Sequence, residues 1–193
     1  MPKLLLTFLI TLLFSAPAIS QGLSSSELPQ RPSGYTWVNP DEVRFAFLKP
    51  RNWYQYDYHQ DGVYGYLITR NNAQKDGEYE TALTVNIMRN TKEMTGLTAQ
   101  EYASAFTQTF IRSMDGELIG KEDTEFGVFK GVVSRVEHNR EDKEPVIIHR
   151  FIIGNTQTDT LYHLFFESPR SEFARHWESV SVIFKNLSID QSF

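Results

Sequence analysis

The sequence predicts an α+β fold: a mainly antiparallel β-sheet flanked by helices, layered as an α/β/α sandwich. Three observations predict it. Short runs of alternating apolar and polar residues, joined by polar turns, recur along the chain as hairpin-linked strands do. Two stretches, after Thr98 and after Ser168, instead repeat apolar residues at steps of three and four, the spacing of a helix with one buried face. Strands also outnumber helices and follow one another directly, which favours antiparallel pairing over parallel crossovers.

The N-terminus predicts export. Lys3 supplies a positive charge, Leu4 to Phe14 an apolar run too short to span a bilayer comfortably, and Ala18-Ile19-Ser20 the small residues a signal peptidase reads. Residues 1–20 are therefore expected to be a signal peptide cut before Gln21, leaving no stable membrane anchor. Their removal from 193 residues leaves 173, enough for one core without staples. Lys3 is the one charged residue lost, so 18 basic and 24 acidic residues remain, a net charge of −6. That balance excludes a nucleic-acid partner reached through a basic patch. The chain has no cysteine, which excludes a lipoprotein anchor, disulfides and thiolate chemistry.

Residues 21–34 are rich in serine, proline and glycine and are expected to be a flexible lead. A single domain over 35–189 follows, with 190–193 as a tail. Val43–Leu48 reads as a strand ended by Lys49-Pro50. Tyr54, Tyr56 and Tyr58 alternate along the next. Asp61-Gly62 suits a two-residue type I′ turn, and Val63–Arg70 returns as the partner strand. Thr81–Met88 alternates cleanly. Thr98-Ala-Gln-Glu101 is a capping box opening a helix whose apolar stripe is Tyr102, Phe106, Phe110 and Met114, ended by Asp115-Gly116. Glu117–Glu122, Phe129–Glu137 and Val146–Ile153 are further strands. The closing unit is an apolar strand from Leu161, then Ser168 as N-cap and Pro169 as first helical residue. Phe173, Trp177, Val180, Phe184 and Leu187 form its stripe.

Phe45-x-Phe47-x-x-Pro50-x-x-Trp53 resembles the early strand-turn segment of PsbP/Mog1-like domains. The final strand, Ser-Pro turn and amphipathic helix resemble their end, and the order of elements between is similar. The resemblance implies an α/β/α sandwich and a binding or assembly-accessory role. Relatives of that family include an oxygen-evolution subunit and a transport GTPase partner. No shared catalytic residue comes with it.

Chemistry-bearing patterns are sparse. Asp57-x-His59-x-Asp61-Gly62 has metal-ligand types at alternate positions, but Ile68 stands where a calcium loop needs glutamate, and a plain hairpin explains Asp61-Gly62. His149 and His163 lie on candidate neighbouring strands, both on sides shared with apolar residues, and could meet across the sheet; satisfied core histidines are the alternative. There is no HExxH, Gly-x-Ser-x-Gly, SxxK or glycine-rich phosphate loop. The expectation is a non-enzyme with no cofactor and no metal. The candidate contact surface is aromatic: Trp53, Tyr54, Tyr56, Tyr58, Tyr64 and Tyr66 fall within 14 residues around one turn. Cross-strand pairing accounts for part of that enrichment. Rings with hydroxyl handles also suit a protein partner or a sugar. The expected function is an exported binding or assembly-accessory protein of the cell envelope with an extracytoplasmic protein partner, as monomer or homodimer. The alternatives are a metal-dependent or hydrolytic envelope enzyme and a small-ligand or carbohydrate-binding module.

Overall fold

The structure, a computed structural model, describes residues 22–193; the segment expected to be a signal peptide, with its expected cleavage point, lies outside the described residues. In chain order the strands are β1 Tyr35–Val38, β2 Phe45–Pro50, β3 Tyr54–Gln60, β4 Val63–Thr69 and β5 Ala82–Met88. After them come β6 Gly116–Phe126, β7 Phe129–Arg140, β8 Lys143–Asn155, β9 Leu161–Pro169 and β10 Ser188–Ile189. The helices are two short turns, α1 Ala73–Asp76 and α2 Thr91–Thr95, and two long ones, α3 Ala99–Ser113 and α4 Arg170–Lys185.

Seven strands form one sheet in the order β3-β4-β5-β9-β8-β7-β6, antiparallel at every step, and β1-β2-β10 form a second, smaller one. Helix α3 covers one face of the large sheet. The other face is covered by α4 and the small sheet together. This is the α/β/α sandwich, with a sheet doing part of one outer layer's job.

The main core lies on the α4 side. Phe45 and Phe47 of β2 pack against Tyr66, Leu83, Val85, Tyr162, Leu164 and Phe166 of the large sheet, and Phe173, Val180 and Ile183 close it from α4. Every residue from Phe45 to Leu48 is fully buried, since β2 runs through the centre of the small sheet and beneath it. Under α3, Ala99 and Ala103 bring the helix close enough to meet Ile152 and Leu161, while Phe110 and Met114 flank Val136 and Ile148. Gly154 makes that approach possible, because a Cβ there would lie 2.5 Å from the Ala99 backbone.

Both helix stripes face inward. The α3 capping box is complete: Glu101 N–H donates to Thr98 Oγ1 at 3.3 Å and Thr98 N–H to Glu101 Oε2 at 2.9 Å. Helix α4 buries Phe173, His176, Val180 and Ile183, with Trp177 and Phe184 packed beside them; Leu187, expected to close the stripe, lies past the helix end at Lys185 and packs on the same core. Its start differs from expectation. Ser168 and Pro169 stay in β9, paired with Ile147 and Val146 of β8. The Ser168 hydroxyl bonds Thr81 Oγ1 at 3.1 Å inside the protein, so it is not the cap. Glu144 serves instead, accepting from the Ser171 N–H at 2.7 Å and its hydroxyl at 3.0 Å. Ladder bonds on a central strand outweigh a local capping preference.

The segment expected to be flexible makes contacts: Leu23 is buried, Asn39 bridges its N–H and C=O, and Glu27 pairs with Arg44. At the other end, the Phe193 carbonyl accepts from Thr158 Oγ1 at 2.6 Å.

Candidate functional site

The aromatic hairpin β3–β4 forms one edge of the large sheet, with β3 outermost. Its turn is the two-residue type expected, Asp61 at φ 50° and Gly62 at φ 77°. That turn sets the register. Tyr54, Tyr56 and Tyr58 stand opposite Thr69, Leu67 and Gly65, whereas Tyr64 and Tyr66 stand opposite His59 and Asp57. Directly opposed residues share a face. The six rings therefore do not form one patch. Three tyrosines lie on the α3 side, and Tyr64 and Tyr66 lie on the side of the small sheet.

On the α3 side, Tyr54 and Tyr58 are each 45% exposed. Tyr58 lies flat over Gly65, where a Cβ would come within 1.9 Å of its ring, and its hydroxyl donates to Asn86. Tyr56 donates to Asn72 Oδ1 at 3.1 Å, tying the strand to the turn before α1. Burial pushes the Tyr58 hydroxyl's pKa up.

On the opposite side an open groove of about 590 Å³ runs between the hairpin and the small sheet. His59 stacks on Tyr64 with ring centroids 4.3 Å apart, forming one wall, and Trp37 and Glu42 belong to the other. Tyr66 lies at its base, 4% exposed, packed on Phe47, with no hydrogen-bond partner for its hydroxyl among the described residues. Burial first, and then the carboxylates of Glu42 and Asp57, raise its pKa. A neutral phenol lining a groove with a free donor is equipped to bond an incoming acceptor.

Two of the expected contact residues need correction. Trp53 is 7% exposed and faces the His176 ring at 6.3 Å, while Tyr66 shows the groove little more than its hydroxyl. Both belong chiefly to the core. Trp37 and Glu42 were not found from sequence, because they sit on β1 and on the turn between β1 and β2 and reach the groove only through tertiary packing.

His149 and His163 do not meet. Register places His149 opposite Phe166 and His163 opposite Ile152, so the two rings point to opposite faces. His149 packs on Trp177 and Phe184, and burial with Arg135 nearby pushes its pKa down to about 4. His163 packs on Phe106 and Phe165, and burial with Arg150 nearby pushes it to about 3. Arg150, 8% exposed, is enclosed by Phe106, Phe110 and Phe165. Among the described residues no three histidine or carboxylate side chains converge as a metal cage. No helix among them is long and apolar enough to cross a membrane.

No family model matches the chain. No curated protein matches it either. Solved structures do. The cyanobacterial PsbP of Synechocystis sp. superposes at a TM-score of 0.52 with 15% identity, over 83% of this chain and 95% of that one. The Ran-binding protein Mog1p of Saccharomyces cerevisiae superposes at 0.53 with 11% identity, over 82% of this chain and 97% of that one. The fold is therefore PsbP/Mog1-like.

Proposed function

We propose that this PsbP/Mog1-like domain is an exported, non-enzymatic binding or assembly-accessory protein of the cell envelope, which contacts an extracytoplasmic protein through the β3–β4 edge. The observation that carries the reading is the composition of that edge. Among the described residues strand β3 pairs on one side alone, so its other row of backbone donors and acceptors is available to an added strand. Exposed Tyr54 and Tyr58 flank it on one face and the Trp37–Tyr64 groove on the other. Amphipathic rings around a free strand edge are what a protein contact uses. One of the two solved relatives is described as Ran-binding, which favours contact with proteins over chemistry. The separation of His149 from His163 weighs against the metal-dependent enzyme reading. A small-ligand or carbohydrate module would use the same groove.

The test is affinity capture from the native envelope fraction with the wild type, Tyr54→Ala, and Leu97→Ser as an exposed control on the loop before α3. Tyr54→Ala should lose a partner that Leu97→Ser keeps, with equal melting temperatures. Identical captures by all three proteins would remove the edge from the proposal. Binding of a sugar or small molecule in place of protein would move the function to the groove alone.

A further inference from the structure

At the opposite edge of the sheet, one cavity is built around a cation that has no counter-ion among the described residues. It measures about 350 Å³; Ile119, Gly120, Glu122, Val133, Arg135 and His149 line it, together with Lys121 and Ser134 of the intervening positions. A register shift between Leu118 and Gly120 sets Gly120 opposite Arg135, and a Cβ at Gly120 would meet nothing within 4 Å. The missing side chain leaves the space beside Arg135 open.

The Arg135 guanidinium is stacked on Trp177 at 4.6 Å and Phe173 at 5.0 Å. Stacking occupies its flat face and leaves the in-plane N–H donors for hydrogen bonds. Those donors are poorly served. Nε is buried with no acceptor, and Nη2 meets Nδ1 of His149 at 3.5 Å. His149 is no counter-charge, because its imidazole is neutral at physiological pH. Glu137, on the same strand face, is engaged by Arg170 at 3.0 Å. Glu122 stands exposed at the rim and makes no ion pair with Arg135. Holding a guanidinium partly out of water without a partner is costly, and a carboxylate would relieve that cost with two parallel charge-assisted bonds. Beside it, Ile119 is 50% exposed, an apolar seat next to the charge.

We infer that this pocket binds a carboxylate carried on a small apolar group, with Arg135 receiving the anion and Ile119 and Val133 seating the apolar part. The site is separate from the β3–β4 edge and does not depend on the role proposed for it. The carboxylate can belong to a free organic acid or to the end of a peptide chain, which share this chemistry.

Titration of the isotope-labelled protein with benzoate, benzamide, N-acetylphenylalanine and inorganic phosphate, followed at the Arg135 Nε–H resonance, tests it. Benzoate or N-acetylphenylalanine should shift that resonance saturably, and benzamide should not. Tighter binding of N-acetylphenylalanine assigns the site to chain termini; tighter binding of benzoate assigns it to free acids. Arg135→Gln, which removes that resonance and is followed instead at the Ile119 amide, should weaken binding about tenfold or more, the loss expected for a pair of charge-assisted bonds. Gly120→Leu fills the open space beside Arg135 while leaving the guanidinium itself in the chain, so it should abolish binding while the fold is kept. Equal binding of benzamide, undiminished binding by Gly120→Leu, no shift with either acid, or a preference for phosphate would each overturn the inference.

Discussion

Acidification should unfold this protein through its two partly buried strand histidines, His149 and His163. Both are held neutral, with folded pKa values pushed from an ordinary 6.5 to about 4 and about 3. The cause is burial first, with Arg135 and Arg150 second. Because those values are depressed, the unfolded chain takes up protons that the folded one refuses, and stability falls as pH drops through 6.5. At about pH 5.5 an unfolded histidine is roughly nine-tenths protonated. Linkage then removes about 1.3 kcal/mol per histidine between about pH 7.5 and 5.5, or ~2.7 kcal/mol for the pair. His176, also depressed by burial, acts in the same direction. Glu167, raised by burial, acts in the opposite one. Glu27, Glu101, Glu172 and Asp190 are lowered, so their contributions fade only below the ordinary carboxylate range, outside this window. The perturbation is His163→Leu, chosen because Nε2 has no hydrogen-bond partner to strand. Urea unfolding at about pH 7.5 and 5.5 should show the variant losing about 1.3 kcal/mol less than the wild type on acidification. An unchanged pH dependence, or a His163 resonance titrating near its ordinary pKa, would refute the reasoning.

Two further outcomes are expected. Phe173→Ala should cost about 3–5 kcal/mol in urea unfolding, because the ring is buried between Phe166 and Trp177 and its removal leaves a cavity. Gly65→Ala should drive the Tyr58 ring off its neighbour and break its bond to Asn86, costing about 1–3 kcal/mol and raising Tyr58 exposure to chemical modification.

The split of the tyrosine patch shows how far the hairpin was legible. Asp61-Gly62 signals a two-residue turn, and such a turn pairs even-numbered residues with odd-numbered ones. The separation of Tyr54, Tyr56 and Tyr58 from Tyr64 and Tyr66 was therefore implicit in the turn itself. His149 and His163 are a different case. Their strands are joined by a loop from Thr156 to Thr160, whose length alone does not set the register, and only the ladder between β8 and β9 decides that they face apart.

Sequence by itself determined what depends on residues a few positions apart: the Asp61-Gly62 turn, the Thr98–Glu101 cap, and the two apolar stripes that begin at Tyr102 and Phe173. Those features answer to backbone geometry and local burial, so nearby residues suffice to specify them. Tertiary structure alone decided that β2 pairs with β1 and β10 in a separate sheet over the main core, that Trp37 and Glu42 wall a groove with Tyr64, and that Ser168 bonds Thr81 while Glu144 caps α4. Each of these joins segments far apart in the chain, where the winning contact is set by competition among many packing arrangements and leaves no local pattern to read.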